Sequence, residues 1–470
     1  MYPFSELAGK KTVVIGLARS GLAATQLLLA GGAEVILNDQ KALTEALAEL
    51  SVLSGQKRVK FVFGSHPAEI VTHETQFVVK SPGVPLDLPP LQRAVELGVP
   101  VISEVELASW YIAAPIFAIT GTNGKTTTTA LTGEMFKLSG RRTFVAGNIG
   151  LPLAAIADQV AADDVVVAEL SSFQLESTLY FRPQVSAILN ITPDHLDRHG
   201  SFTAYREAKA KIFANQEAGT AIVLNADDPE TMALCGRSIA RTYLFSRRRE
   251  VRQGAFIRDG LLFLREENRE VMVCAAREVA IPGAHNLENA LAASLIAWLG
   301  GTAPAAIAAA LQSFRGVPHR LESVGHVGGV EFVNDSKGTN SDAAIKALEA
   351  LSRRKVLIAG GYDKGGSFAA FAQAVREHVS FVVIIGQVAA RLAEALRLVG
   401  FSNFIFAASL EEAVQKAYQA ARPGDVVLLS PACASWDMFS NYEERGEQFR
   451  QAVRVLEGKE NGREPKKTGT

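Results

Sequence analysis

A β-run, a glycine-containing loop and a helix follow one another in IFAITGTNGKTT, residues 116–127. Glycines let backbone N–H groups approach phosphate oxygens, and the N-terminus of a helix adds partial positive charge. Lys125 would neutralise the β- and γ-phosphates of a nucleotide, and the Thr126 hydroxyl would hold Mg²⁺. A strict Walker A motif requires glycine where Ile119 stands, so this loop is a shortened variant. We favour ATP binding over the alternative that this loop is an ordinary strand–helix turn. The predicted ATP-binding residues are Gly121, Thr122, Asn123, Gly124, Lys125, Thr126 and Thr127.

Strands alternate with helical segments on both sides of this loop, which predicts parallel sheets covered by helices on both faces. The predicted fold is α/β with three domains. Residues 1–113 form a Rossmann-like N-terminal domain, 114–315 a central P-loop ATPase-like domain with a mostly parallel sheet, and 316–457 a Rossmann-like C-terminal domain. The polar, irregular pattern around residues 247–250 indicates a hairpin excursion. Residues 458–470, rich in Lys, Glu, Gly and Pro, are predicted to be a disordered tail.

The composition is that of an ordinary folded protein with no global charge bias. The 470 residues carry a formal net charge of −1, which gives no general attraction to nucleic acid or to an anionic membrane. Three widely spaced cysteines argue against a disulfide framework or a zinc site. The uncharged stretch 290–311 is divided by Gly300, Gly301 and Pro304, which predicts two core helices. With no signal peptide visible, we expect a cytoplasmic protein without nucleic-acid or membrane partners.

Two polar residues follow buried strands of the central segment. Glu169 ends the strand predicted over 165–168, where an acid in a P-loop domain is placed to ligate the Mg²⁺ of a nucleotide. His195 lies in the polar loop 190–197 after the next strand, and its position leaves a structural and a functional role equally open.

The sequence around Lys209 gives little indication of its role. It lies on a helix predicted over 202–215, beside Glu207 and Lys211. Most lysines in such a setting are exposed. The residues alone therefore favour a solvated surface lysine.

Eight ordered motifs together resemble the Mur ligase family and cover nearly the whole chain. Gly16–Gly21 and Ala434–Asp437 look like the branch of the family that adds D-glutamate. The resemblance implies ATP-dependent ligation of D-glutamate to the alanyl carboxylate of UDP-N-acetylmuramoyl-L-alanine, through an acyl phosphate and a tetrahedral intermediate, in peptidoglycan precursor synthesis. The motifs are the phosphate loop and the segments Gly147–Gly150, Glu169–Glu176, Asn190–Asp197, His285–Ala290, Pro318–Arg320, Asn334–Asn340 and Ser430–Ser435.

The resemblance changes the interpretation of Lys209. In this family the matching lysine is carbamylated by CO₂, which converts a cation into an anionic oxygen ligand. Lys209 as a carbamate, together with Glu169 and His195, is then implied to hold a second Mg²⁺ beside the one at Thr126. The implied cofactors are thus ATP, two Mg²⁺ ions and the carbamate. The implied catalytic residues are Lys125, Glu169, His195, Lys209, Arg320 and Lys337.

The resemblance also implies contacts in the second half of the chain. Tyr442 stands where the family pattern has phenylalanine, which matters little if the contact is made by its backbone. Further ATP contacts are implied for Asn286, Asn289, Arg320, Asp335 and Lys337. D-glutamate contacts are implied for Thr339, Lys364, Ser435 and Tyr442.

The N-terminal domain is implied to hold the UDP moiety. Its first loop, residues 16–21, reads GxxxxG and so lacks the GxGxxG fingerprint of dinucleotide-binding domains. A loop at a helix N-terminus can still take a diphosphate. The implied contacts, including those to the muramoyl arm, are Leu17, Ala18, Arg19, Ser20, Asp39, Gln40, Ser81, Pro82, Gly83, Asn148 and His195.

Several alternatives remain open at this point. A sister Mur ligase or a folylpolyglutamate-type ligase would use the same chemistry with another amino acid, although the Asp-Asn-Pro-Arg motif of the diamino-acid branch is absent. An NAD-dependent dehydrogenase would require GxGxxG and would leave the phosphate loop unexplained. A non-catalytic nucleotide-binding regulator would not need Glu169, His195 and Lys209. We expect a monomer whose third domain closes at the glycine–proline joint 315–318.

Overall fold

The computed structural model describes residues 7–42, 44, 50–363 and 366–461. The chain divides into two compact units. The first consists of Met1–Ala280 and Leu287–Phe314, and the second of Ile281–Asn286 and Arg315–Thr470. The predicted N-terminal and central domains therefore fall within one unit, and the boundary predicted between them at 113/114 stays a prediction. Residues 281–286, assigned to the central domain from the sequence, group with the second unit instead.

The first unit begins with a parallel five-stranded sheet in the order β3-β2-β1-β4-β5. Parallel pairing brings the carboxyl ends of β1, β2 and β4 to one edge, since Ile15 pairs with both Asn38 and Lys80. The strands are β1 Lys11–Ile15, β2 Glu34–Asp39, β3 Val59–Phe63, β4 Thr75–Lys80 and β5 Val101–Ser103. The helices are α1 Arg19–Ala30, α2 Pro89–Glu96 and α3 Glu104–Ser109.

The second sheet of this unit has nine strands in the order β14-β13-β12-β11-β10-β9-β6-β8-β7. Its strands from β6 to β12 pair in parallel, and β12, β13 and β14 form the antiparallel excursion that the sequence predicted near residue 250. The strands are β6 Ile116–Thr120, β7 Thr143–Gly147, β8 Val165–Glu169, β9 Val185–Ile188, β10 Ala221–Asn225, β11 Arg241–Ser246, β12 Gly254–Arg258, β13 Leu261–Glu266 and β14 Arg269–Ala275.

Helices cover this second sheet. The uncharged stretch near residue 300 forms two helices separated by Gly300 and Gly301, as predicted. In the described part of the chain, no helix is long and apolar enough to cross a membrane. The helices are α4 Lys125–Leu138, α5 Ser172–Leu175, α6 Leu196–His199, α7 Phe202–Ala210, α8 Pro229–Met232, α9 Ala284–Leu299 and α10 Pro304–Ser313.

The two sheets of the first unit share buried structure. One cluster of buried apolar side chains extends from Leu7 to Ala240. Helix α3 adds polar contacts, because the Glu106 carboxylate accepts hydrogen bonds from the backbone N–H groups of Leu179, Tyr180 and Phe181 at 2.9–3.0 Å. Hydrogen bonds to a carboxylate are stronger than those between neutral groups. The first unit is therefore joined by both apolar and charge-assisted contacts.

The second unit contains a six-stranded sheet in the order β15-β16-β20-β17-β18-β19. Only β15 pairs antiparallel among these described strands, so the sheet is mostly parallel. The strands are β15 Glu322–Val327, β16 Val330–Asn334, β17 Lys355–Gly360, β18 Val379–Ile385, β19 Phe404–Phe406 and β20 Val426–Leu429. The helices are α11 Ser341–Ala350, α12 Ala369–His378, α13 Ala389–Leu398, α14 Leu410–Ala420 and α15 Tyr442–Asn461.

Three α/β sheets, each mostly or wholly parallel, confirm the predicted fold class. The predicted tail is wrong at its start, because α15 continues without interruption through residues 458–461. Its Glu- and Lys-containing sequence is compatible with a helix, since both residue types have good helix propensity. Residues 462–470 lie outside the described part of the chain.

Candidate active site

The phosphate loop connects β6 to α4. Every residue of β6 is buried, and the helix begins after Gly124, whose φ of 84° is in the left-handed region. A Cβ at this position would lie 2.2 Å from Asn289 Oδ1, so the loop requires glycine here. Lys125 Nζ donates to the carbonyl oxygens of Gly121 and Thr122 at 2.8 Å each. The lysine thus lies folded over the loop that the sequence assigns to phosphate.

Glu169 lies at the carboxyl end of β8 with only 1% of its surface exposed. Its Oε1 accepts a hydrogen bond from Asn148 Nδ2 at 2.9 Å. Its Oε2 is buried and has no hydrogen-bond partner among the described residues. A buried carboxylate oxygen without a donor is costly unless a cation or a further donor reaches it. The site predicted for a metal ligand therefore contains an oxygen available for one.

His195 directly precedes helix α6 as its N-cap residue, with a backbone φ of 54°. Its Nε2 lies 3.7 Å from Asp194 Oδ2, and its ring packs edge-on against Phe173 at a centroid distance of 4.9 Å. Its side chain is 37% exposed. A left-handed backbone at a non-glycine residue is uncommon and often occurs at functional sites. The loop thus holds the imidazole with one edge against an aromatic ring and the rest accessible.

Lys209 is buried, with 1% of its surface exposed, so its interpretation as a solvated lysine is wrong. Its Nζ donates to the Gly121 carbonyl at 2.8 Å and lies 4.6 Å from the centre of the Tyr205 ring. Burial, reinforced by the nearby Lys125 charge, lowers the pKa of the amine well below its usual 10.5. The helix spacing carried a signal: Tyr205 and Lys209, four residues apart, lie on the same buried face.

Glu169 and Lys209 have the chemistry that a divalent cation and a carbamate require. The unpartnered Oε2 of Glu169 is an oxygen ligand of the type that Mg²⁺ prefers. The lowered pKa of Lys209 increases the fraction of neutral amine, which is the form that reacts with CO₂. Among the described residues, no three His, Cys, Asp or Glu side chains are grouped closely enough to hold a metal ion. A carbamate on Lys209 would add one anionic oxygen ligand.

The residues predicted to bind UDP lie at the carboxyl edge of the first sheet. Asp39 accepts hydrogen bonds from the backbone N–H groups of Leu17 and Lys41. Ser81 Oγ donates to the Gly16 carbonyl at 2.9 Å, which joins the two predicted UDP loops. Helix α1 begins after Ala18, and the methyl side chain of this residue cannot cap the N–H groups of the first helical turn. Those N–H groups suit an anionic ligand.

Arg19 connects these loops to the second sheet. Its guanidinium donates to the Gly150 carbonyl, in the loop that also contains Asn148. Asn148 in turn donates to Glu169. The structure therefore brings the predicted UDP contacts Arg19 and Asn148 towards the predicted metal ligand Glu169. Gln40, Pro82 and Gly83 occupy the adjoining loops, as their positions in the sequence require.

In the second unit, Asp335 lies buried where β16 ends. Burial raises the pKa of its carboxyl to about 6, although Arg320 and a hydrogen bond from Ser430 Oγ at 2.7 Å oppose the shift. Lys337 Nζ lies 5.1 Å from the centre of the Tyr442 ring. Asn286 Nδ2 donates to the Pro282 carbonyl at 2.7 Å, at the start of α9. The second unit thus groups Arg320 and Asp335, two residues predicted to contact ATP.

Arg445 joins segments next to three of the residues predicted to bind D-glutamate, namely Thr339, Ser435 and Tyr442. Arg445, which the sequence analysis missed, is 1% exposed and donates to Ser336 Oγ and to the carbonyls of Ser336, Cys433 and Ala434 at 2.8–3.2 Å. Ser336 Oγ donates to the Tyr442 carbonyl at 2.8 Å, so the backbone of Tyr442 as well as its ring contacts neighbouring residues. Thr339 and Ser435 flank these groups along the chain. Lys364 lies outside the described residues.

Comparison with known proteins identifies the class to which this fold and site belong. The Mur ligase MurD-like N-terminal domain matches residues 10–103, the Mur ligase middle domain residues 119–297, and the Mur ligase glutamate ligase domain residues 319–433. The chain belongs to the Mur ligase family.

Full-length relatives have a more specific name. The UDP-N-acetylmuramoylalanine–D-glutamate ligase of Pelotomaculum thermopropionicum is 49% identical over 447 residues, which cover 95% of this chain and 98% of the relative. The ligase of the same name from a Thermoanaerobacter species is 48% identical over 456 residues, covering 96% and 99% respectively.

Solved structures share the fold at low sequence identity. The UDP-N-acetylmuramate–alanine ligase of Thermotoga maritima has a TM-score of 0.58 at 22% identity, covering 95% of this chain and 99% of that one. The MurF ligase of the same organism, in complex with ADP, has a TM-score of 0.60 at 17% identity, covering 97% and 96%. At these identities the likeness concerns the fold alone.

Proposed function

We propose that this protein is an ATP-dependent ligase that joins D-glutamate to the alanyl carboxylate of UDP-N-acetylmuramoyl-L-alanine, releasing ADP and phosphate. The observation that carries this proposal is identity of 48–49% to D-glutamate ligases along almost the full length of both chains. The phosphate loop and the buried pair Glu169 and Lys209 support it from the geometry. The product would serve peptidoglycan precursor synthesis.

The reaction has two stages. The alanyl carboxylate attacks the γ-phosphorus of ATP, which forms an acyl phosphate and releases ADP. The amine of D-glutamate then attacks the acyl carbon, and phosphate leaves from the tetrahedral intermediate with the electrons of the C–O bond. Phosphorylation is needed because a free carboxylate has no adequate leaving group. Phosphoryl transfer depends mainly on positioning and on neutralising charge.

The first unit supplies the phosphate-binding part of this proposal. Residues 121–127 bind the phosphates through backbone N–H groups, and Lys125 moves from its loop carbonyls to the β- and γ-phosphates. Thr126, Glu169, His195 and a carbamate on Lys209 would hold two Mg²⁺ ions, which would supply positive charge to neutralise the transferring phosphoryl group. Asn289, whose side chain lies against Gly124, contacts the adenine.

The second unit supplies the remaining contacts. Asp335 accepts from the ribose, Asn286 contacts the adenine, and Arg320 and Lys337 add positive charge at the phosphates. Thr339, Lys364, Ser435 and Tyr442 bind D-glutamate. Its two carboxylates suit a pocket with a lysine and with the hydroxyl and backbone donors of these loops.

UDP binds at the carboxyl edge of the first sheet, through residues 17–20, Asp39, Gln40 and the loop 81–83. Arg19 and the N-terminus of α1 face the diphosphate. Asn148 and His195 face the muramoyl arm. We propose that the enzyme acts as a monomer.

The test is phosphate release from ATP in the presence of UDP-N-acetylmuramoyl-L-alanine and one amino acid at a time. D-glutamate should support turnover, whereas L-glutamate, L-alanine and meso-diaminopimelate should not. Turnover with a different amino acid would keep the ligase chemistry and overturn the proposed pocket. ATP binding without turnover for all four would favour another acceptor or a regulatory protein.

A further inference from the structure

Three charged side chains with little exposure meet between the two sheets of the first unit. Lys80 ends strand β4, directly before the loop 81–83 that is proposed to bind UDP. Glu176 follows helix α5, and Arg198 lies in α6, three residues after His195. The exposed fractions of the Lys80, Glu176 and Arg198 side chains are 0%, 11% and 23%. None of the three belongs to the proposed substrate, nucleotide or metal contacts.

The two cations share two acceptors. Glu176 Oε1 accepts from Lys80 Nζ at 2.8 Å and lies 3.4 Å from Arg198 Nη2. The Val84 carbonyl accepts from the same two groups, at 3.2 Å and 2.7 Å. Arg198 therefore binds the backbone immediately after the UDP loop and the carboxylate immediately after α5. The backbone of Glu176 is also held in place, because its carbonyl oxygen accepts a hydrogen bond from Lys211 Nζ at 2.6 Å.

Charge makes Glu176 the critical member of this cluster. Burial lowers the pKa of Lys80, and the Glu176 charge opposes that shift. Two cations with one carboxylate in a poorly solvated site would repel each other if the carboxylate were neutralised. Loss of the Glu176 charge should therefore release Arg198 or Lys80 from Val84.

Arg198 also reaches the candidate active site through Phe173. Its guanidinium lies 5.7 Å from the centre of the Phe173 ring. The same ring contacts His195 edge-on at 4.9 Å and stacks on His199 at 5.1 Å with an interplanar angle of 8°. A continuous set of contacts thus runs from Val84, after the UDP loop, to the imidazole of His195.

We propose that Glu176 and Arg198 are positioning residues that fix the UDP-binding loop 81–83 relative to His195. In this proposal they act through other residues and contact neither substrate nor ATP. By holding Val84 and α6 at one spacing, they align the bound UDP substrate so that its alanyl carboxylate meets the γ-phosphate. This inference rests on the proposed function, because it assumes that the loop binds the UDP moiety and that His195 faces the muramoyl arm.

Arg198→Lys and Glu176→Gln test this role. Lysine keeps the charge of Arg198 but loses the guanidinium, whose Nη2 donates to both acceptors and which lies over the Phe173 ring. Glutamine keeps the shape of Glu176 without its charge. For both variants we expect the KM for the UDP substrate to rise about tenfold and kcat to fall, since a small misplacement of reacting groups slows the chemistry. The KM values for ATP and D-glutamate should stay within about twofold of wild type, since the phosphate loop and the second unit are untouched.

Arg182→Lys is the matched control. Arg182 pairs with Glu217 at the amino ends of the parallel strands β9 and β10, opposite to the carboxyl ends where the candidate site lies. This variant should leave kcat and the KM values for the UDP substrate, ATP and D-glutamate unchanged. Wild-type levels of kcat and of the KM for the UDP substrate in folded Arg198→Lys and Glu176→Gln would overturn the proposal. An equal rise in all three KM values would do the same, because it would indicate general loosening.

Calorimetric titration of the UDP substrate without ATP separates this inference from the proposed function. If wild type binds the substrate but turns over no amino acid, the proposed reaction fails, while weaker binding by the variants still supports the positioning role. Equal binding by wild type and variants would overturn the positioning role, whatever the turnover. Should Glu176→Gln fail to fold, Arg198→Lys and Lys80→Met provide the same comparison.

Discussion

At the scale of single residues, Lys209 illustrates how burial prepares a side chain for chemistry. Its amine has a lowered pKa, chiefly because of burial, and it lies against the phosphate loop. We predict that ¹³C-bicarbonate gives a carbamate carbon signal by NMR in wild type, and that Lys209→Arg abolishes it. The same variant should lower kcat/KM roughly 100-fold, as the loss of a metal-site group does. Lys211→Arg, two residues away, should keep the signal; a signal that survives in Lys209→Arg would contradict the assignment.

Glu104 is a second buried titratable residue, and it was not anticipated from the sequence. It accepts a hydrogen bond from Ala154 N–H, while its Oε2 has no partner in the described part of the chain. Burial raises the pKa of this carboxyl from 4.5 to about 7. The folded state therefore binds the proton more tightly than the unfolded state, so this stabilisation is fully present below pH 4.5 and is lost as the pH rises to about 7.

Glu104→Gln should remove this dependence, because glutamine stays neutral. Between pH 4.5 and 8, the free energy of unfolding of wild type should fall by roughly 3 kcal/mol relative to the variant. Denaturant unfolding of both proteins at the two pH values measures the difference. Parallel pH profiles for the two proteins would show that Glu104 does not titrate in this range.

At the scale of elements, the turn between β6 and α4 depends on Gly124. An alanine there would combine a φ of 84° with a clash at Asn289 Oδ1. We predict that Gly124→Ala raises the Kd for ATP at least tenfold.

Gly140, just after α4, has the same φ of 84°, and a Cβ there meets no described atom within 4 Å. Gly140→Ala should thus cost about 1 kcal/mol of stability and leave ATP affinity unchanged. Equal ATP affinities for the two variants would refute the role of the close approach to Asn289.

At the scale of the whole molecule, the proposed ATP contacts are divided between the two compact units. The phosphate loop and Asn289 belong to the first, and Arg320 and Asp335 to the second. The division falls between Phe314 and Arg315, beside the predicted glycine–proline joint. We predict that ATP and the UDP substrate together change the small-angle scattering profile, since residues proposed to contact ATP come from both units. An unchanged profile at saturating ligand would count against closure.

The sequence by itself determined the features whose residues are adjacent in the chain. The phosphate loop, the alternation of strands and helices, and the division near residue 300 depend on local spacing and backbone preference, which are legible without a structure. The family resemblance identified Glu169, His195 and Lys209 as candidate metal ligands. Helix spacing places Lys209 on one face with Tyr205, but local patterns could not show what covers that face, because the partner Gly121 is 88 residues away.

Only the tertiary structure decided which charged groups lose their contact with water. Glu104 and Arg445 look like ordinary surface residues in the sequence, yet each is 1% exposed. The contact of Arg198 with Val84 joins residues 114 positions apart. Burial, and with it the pKa of a side chain, depends on the packing of distant segments, since solvation is a property of the folded surroundings and not of the neighbouring residues.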